Sequence, residues 1–159
     1  MNQKLLNQTL RYLSLRPRSV REVRTKLKQL GATPPELEET VAYLSELRYL
    51  NDRALAEQMV SFRTQHRGWG PTRVERDLMR RGIDGTIAGL VLAEAYSEDK
   101  EDELLASAIE QWTLKRGAPR TQQALKSLFD RLRRNGFRPS QIRRRLSGMF
   151  SDIDWDDHS

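Results

Sequence analysis

Apolar residues recur along this chain at helical spacing, with charged and polar residues filling the positions between them. Three stripes open the sequence: Leu6-Leu10-Leu13, then Val20-Val23-Leu27-Leu30, then Leu37-Val41-Leu44-Leu47. Three follow in the middle, Leu55-Met59-Phe62, Val74-Leu78 and Ile87-Leu90-Val91, and three more close it, Leu105-Ile109-Trp112, Leu125-Leu128-Leu132 and Ile142-Leu146-Met149. Period-2 alternation, the signature of strands, is hard to find. The pattern predicts an all-α protein of about nine short helices.

Helix start and stop residues divide the chain in the same places. Ser19-x-x-Glu22 and Thr33-x-x-Glu36 read as capping boxes, in which the hydroxyl and the carboxylate each satisfy an orphan backbone N–H. Pro34 and Pro71 suit the first helical position, where a missing donor costs nothing. Gly31, Gly82 and Gly136 each follow a helix ending in basic or polar residues, the place for a left-handed cap.

These elements repeat. The segment from Ser19 to Gly31 aligns with that from Gly70 to Gly82, pairing Val23 with Val74 and Leu27 with Leu78; a looser third copy ends at Gly136, with Leu128 and Leu132 in the matching positions. The expected organisation is three tandem three-helix repeats, at residues 1–50, 51–98 and 99–151, and an acidic tail at 152–159.

Composition narrows the function classes. The 159 residues carry 28 Lys+Arg against 22 Asp+Glu, a net charge of +6, with a mean hydropathy of −0.74. Cysteine is absent and histidine limited to His66 and His158, so neither a disulfide framework nor a thiolate or histidine metal cluster is expected. No nucleophile elbow, His-Glu-x-x-His or phosphate-loop motif occurs, and no catalytic residue or cofactor is assigned. The acidic run from Glu98 to Glu103 spreads over several helix faces and suits a helix start better than a metal site. No apolar run reaches the roughly 18 residues of a membrane span, and no signal-peptide core opens the chain. A cytoplasmic protein without membrane contact is the expectation.

Charge alternates with the repeat. Residues 1–30 hold eight basic residues against one acidic, 31–60 two against six, 61–82 six against two, 83–110 one against eight, and 111–145 eleven against one. The middle helix of each copy is therefore basic, which suits a polyanion or a protein that works on one, and equally a solvated face that keeps a thin helical array soluble. The candidate residues are Arg21, Arg24 and Lys28 in the first copy, and Arg67, Trp69, Arg73, Arg76 and Arg80 in the second. The third adds Arg131, Arg134, Arg143, Arg144 and Arg145. Arg21 aligns with Thr72 and Arg24 with Glu75, so the copies do not present one repeated base-reading surface. Trp69, between Gly68 and Gly70, suits stacking on a base, insertion into a partner, or filling a gap between repeats.

Three segments bring a known family into view: Tyr49-Leu50-Asn51-Asp52-Arg53-Ala54-Leu55-Ala56, then Arg67-Gly68-Trp69-Gly70-Pro71, then Leu78-x-x-x-Gly82-Ile83. In them the chain resembles the RecX family, bacterial regulators of the RecA recombinase. It departs mildly from the family pattern, with Asn51-Asp52 where an acidic pair is usual and Leu55 where Phe is usual. The resemblance implies three tandem helix-turn-helix-like units in an elongated, curved array. It further implies a non-enzymatic, monomeric regulator that lies along the groove of the RecA filament and restrains filament growth, ATP hydrolysis, strand exchange and co-protease action. Weak DNA binding without sequence preference would accompany it. The competing expectation is a tandem helix-turn-helix DNA-binding protein with no direct action on RecA.

Overall fold

The computed structural model describes residues 1–153, and the last part of the acidic tail, 154–159, lies outside the described residues. Among the described residues there are nine α-helices and no strand. They are α1 Gln3–Leu15, α2 Val20–Gln29, α3 Pro34–Glu46, α4 Asp52–Phe62, α5 Pro71–Arg80, α6 Gly85–Ala95, α7 Glu98–Arg116, α8 Gln122–Arg134 and α9 Pro139–Met149. Each apolar stripe falls on one helix, three helices to a repeat.

Local chemistry sets the helix ends. Both reciprocal bonds of the capping box form at Ser19/Glu22 and at Thr33/Glu36. Gly31, Gly82 and Gly136 adopt φ of +83°, +83° and +99°, a conformation open to glycine at little cost. The third copy therefore shares the cap of the other two. Arg48, at φ +64°, is the one described non-glycine residue with positive φ.

The helices pack as two compact units, Met1–Met59 with Asp77–Val91, and Val60–Arg76 with Leu92 onward. In the first, α2 packs on α1 and α3 around fully buried Val23, Leu27 and Leu44. In the second, α7, α8 and α9 enclose Leu105, Ile109, Leu128, Leu132, Phe137, Ile142 and Leu146.

Each unit contains the same joint, in which one repeat's middle helix begins against the glycine cap that ends the next repeat's middle helix. In the first unit, the Ser19 hydroxyl donates to the Arg81 carbonyl. The Arg21 guanidinium donates to the carbonyls of Met79 and Arg80, both at 3.2 Å. In the second, the Gly70 amide donates to the Asn135 carbonyl at 2.7 Å, while the Thr72 amide and hydroxyl reach the Gly136 carbonyl at 3.0 and 2.7 Å. The repeat alignment makes Ser19 equivalent to Gly70 and Arg21 to Thr72, so different donors, side-chain in the first copy and largely main-chain in the second, perform one task. The carbonyls left unpaired at a helix C-terminus supply the acceptors.

Charged side chains reinforce the first joint and brace the third repeat internally. Arg81 donates to Glu22 at 3.0 Å and to the Pro17 carbonyl at 2.8 Å. Burial pushes the Glu22 carboxyl up, but the Ser19 amide and the Arg81 and Arg16 guanidinium groups outweigh it, leaving its pKa below the ordinary value. The adjacent Asp52 accepts from the Val20 amide at 3.0 Å; there burial dominates and its pKa is raised. In the second unit the Glu101 carboxylate, fully buried, receives two hydrogen bonds from Arg138. That pairing gives one member of the acidic run an internal, structural task.

Candidate functional site

The Arg67-Gly68-Trp69-Gly70-Pro71 segment begins where α4 gives way to a π-helical turn, Arg63–Arg67. Such a turn places five residues where a regular helix places four, and it redirects the side chains that follow. Gly68 ends it in the left-handed region at φ +61°. Trp69 then lies half-buried between two guanidinium groups, Arg73 at 3.7 Å and Arg63 at 4.8 Å from its ring centroid. Its carbonyl accepts from the Tyr96 hydroxyl at 2.6 Å. Of the three expectations for Trp69, this environment favours packing, since both flanking cations and the main chain are engaged within the fold.

The other candidates divide the same way. Arg21 and Arg73 serve the joints, and Arg24 makes a bidentate pair with Glu38 of α3, at 2.5 and 3.0 Å. That pair raises the Arg24 pKa and lowers that of Glu38. Lys28, Arg76 and Arg80 are exposed, the last two one turn apart on α5. Arg134 is exposed on α8; Arg144 reaches Glu98 at 3.8 Å, and Arg143 lies 5.5 Å from the Phe129 ring. Arg144 and Arg145 also border a shallow depression beside Asp102 and Met149.

One cleft brings two candidates together. It encloses about 290 Å³ between the π turn, α7 and α8, and Arg67 and Arg131 both line it. Lys115 and Arg116, at the last turn of α7, line it too, and sequence reasoning had not singled them out. Basic residues in the last turn before Gly117 suit the helix dipole whether or not a cleft lies beside them, so their spacing alone does not reveal it. Leu104, Ala108 and Trp112 supply an apolar side, with the Arg116 guanidinium 4.0 Å over the Trp112 ring. The cleft is lined without a single carboxylate side chain. Among the described residues, no cluster of three or more potential metal ligands occurs and no helix is long and apolar enough to cross a membrane.

Tandem three-helix units, joined through their middle helices and carrying clustered arginines, define an all-helical tandem-repeat protein. Two domain models of one family match the chain: the first three-helix domain of RecX over residues 6–44 and the second over residues 51–92, together half of it. The chain belongs to the RecX family. It is 37% identical over 100 residues to the regulatory protein RecX of Halalkalibacterium halodurans, an alignment covering 62% of this chain and 38% of that one. With RecX of Bacillus subtilis it shares 35% over 97 residues, covering 61% and 37%. These alignments thus span well under half the length of the relatives. The crystal structure of RecX from Lactobacillus salivarius superposes with a TM-score of 0.82 at 24% identity, over 92% of this chain and 95% of that one. A second RecX crystal structure gives 0.73 at 21% identity, over 94% and 70%. Both neighbours share the fold over nearly the whole of this chain.

Proposed function

We propose that this chain is a negative regulator of the RecA recombinase, acting by binding the RecA nucleoprotein filament rather than by catalysis. Membership of a family of regulatory proteins carries this reading. On it, the protein works in the cytoplasm as a monomer. It lies in the filament groove and limits filament growth, and with it ATP hydrolysis, strand exchange and co-protease action, tempering recombinational repair and the SOS response.

The distribution of cations supports a partner with a repeating surface. Lys28, Arg76, Arg80 and Arg134 are exposed, and Arg67 and Arg131 face a cleft, so positive charge occurs in all three repeats. Several modest contacts on one chain raise each other's effective concentration. Those contacts fall on carboxylates of the filament protein and on phosphates of the DNA it holds.

Co-sedimentation tests the reading. The chain should pellet with RecA filaments formed on single-stranded DNA, saturating below one copy per RecA protomer. The triple substitution Arg143→Ala/Arg144→Ala/Arg145→Ala should weaken pelleting while the protein remains folded. Pelleting with bare DNA alone, unchanged by RecA, would replace this reading with that of a DNA-binding protein.

A further inference from the structure

We infer that the cleft between the π turn, α7 and α8 is a binding site for one nucleotide of a single nucleic-acid strand. The inference deepens the reading above in its claim that DNA is a partner, but it does not depend on RecA.

Three features point to this ligand class. First, four cationic side chains converge on one small cavity from three separate elements: Arg67 from the π turn, Lys115 and Arg116 from α7, and Arg131 from α8. A lining of that charge without a carboxylate attracts an anion, and guanidinium groups suit phosphate oxygens. Second, the cleft has an apolar side as well as a cationic rim. The Trp112 ring with the Arg116 guanidinium over it makes a flat, polarisable surface of the kind on which unpaired bases stack. An isolated phosphate or an acidic side chain would leave that side unused. Third, the positive charge continues outward along α8, where Arg134 lies three residues from Arg131 and so on the same helix face. A strand follows such a track beyond one site, whereas a free nucleotide stops within it. The π turn matters because it departs from regular helix where Arg67 meets the cavity.

The recognition is of backbone and base plane, carried by the four cations and the Trp112 side; the amides of Gln65, Gln111 and Asn135 also line the cleft. Binding is therefore indifferent to sequence and sensitive to salt. In a single strand, each phosphate contact contributes roughly 0.7 to the slope of log affinity against log salt concentration.

The test uses the whole chain without RecA, a fluorescein-labelled oligothymidine, and anisotropy across a series of salt concentrations. Arg67→Ala/Arg131→Ala should weaken binding about tenfold and lower the salt slope by roughly 1.4, two contacts' worth. Lys4→Ala/Arg11→Ala, two exposed positions on α1, removes the same charge and should change affinity less than threefold. A second pair, Lys115→Ala/Arg116→Ala, should match the first, which guards against a local folding defect in either; melting curves check each variant. Equal weakening by all three pairs would show a response to net charge alone and overturn the site. Displacement of the oligonucleotide by thymidine monophosphate at similar concentrations would overturn the strand assignment, and absence of binding at low salt would overturn both. None of these outcomes touches the RecA reading, which pelleting decides separately.

Discussion

Replacing Gly70 by alanine should be among the most damaging single-methyl additions this chain can receive. A Cβ at Gly70 would sit 2.5 Å from the carbonyl carbon and oxygen of Gly136 and from the amide nitrogen of Phe137. All three are main-chain atoms, unable to rotate aside, and carbon contacts prefer roughly 3.5–4.0 Å. The two segments must separate by about 1 Å. That would carry the Gly70 amide, now 2.7 Å from the Asn135 carbonyl, and the Thr72 amide and hydroxyl, now 3.0 and 2.7 Å from Gly136, beyond good hydrogen-bond range. Overpacking of about 1–3 kcal/mol, with weakened bonds worth about 0.5–1.5 kcal/mol each, gives a loss on the order of 2–4 kcal/mol. At this chain length that lowers the melting temperature by roughly 4–16 °C. Gly89, inside α6 with open space around its Cβ position, is the control: Gly89→Ala should raise stability by about 0.5–1 kcal/mol. Thermal and urea unfolding, followed by circular dichroism, measures both. A Gly70→Ala protein melting within 2 °C of the parent would refute the backbone-to-backbone account of the joint.

Further expectations concern charge. The Glu22 pKa lies below its ordinary 4.5, so the folded state holds its proton less tightly than the unfolded state. Its contribution is present above pH 4.5 and fades as pH falls through the lower folded value, and Glu22→Gln should flatten the stability profile over that window in a pH series of melts. Arg138→Ala strips the partner from a carboxylate with no solvent exposure and should cost about 3 kcal/mol by urea titration, near the lower end for a broken buried pair because Arg138 itself is largely exposed. Arg24→Ala removes a surface pair with Glu38 and should cost less than about 1 kcal/mol in the same titration.

The helices and repeats were legible because they follow from local spacing. The apolar stripes gave nine helices, Ser19/Glu22 and Thr33/Glu36 gave two of their starts, and Gly31, Gly82 and Gly136 gave three of their ends. What the glycines do beyond capping was not visible. Gly70 and Gly136 are far apart in sequence, and only the packed structure sets their main chains against each other. For the same reason Arg21 resembled an exposed member of a basic stripe, although its guanidinium is engaged with the end of α5. The misregister between the two basic stripes was the available signal: positions equivalent to Arg21 and Thr72 need a donor to a carbonyl, not a common charge. The place of Lys115 and Arg116 is not legible in the sequence because their partners in the cleft come from the π turn and α8, and that turn has no sequence signature comparable to a capping box.

The central claim is regulation of RecA through its filament. Hydrolysis of ATP by RecA from the same organism, on single-stranded DNA and titrated with this chain at two salt concentrations, tests it most directly. The account predicts inhibition well below one copy per RecA protomer, undiminished by excess DNA. Hydrolysis that is unaffected, or restored when DNA is added, would contradict it and leave a DNA-binding protein in its place.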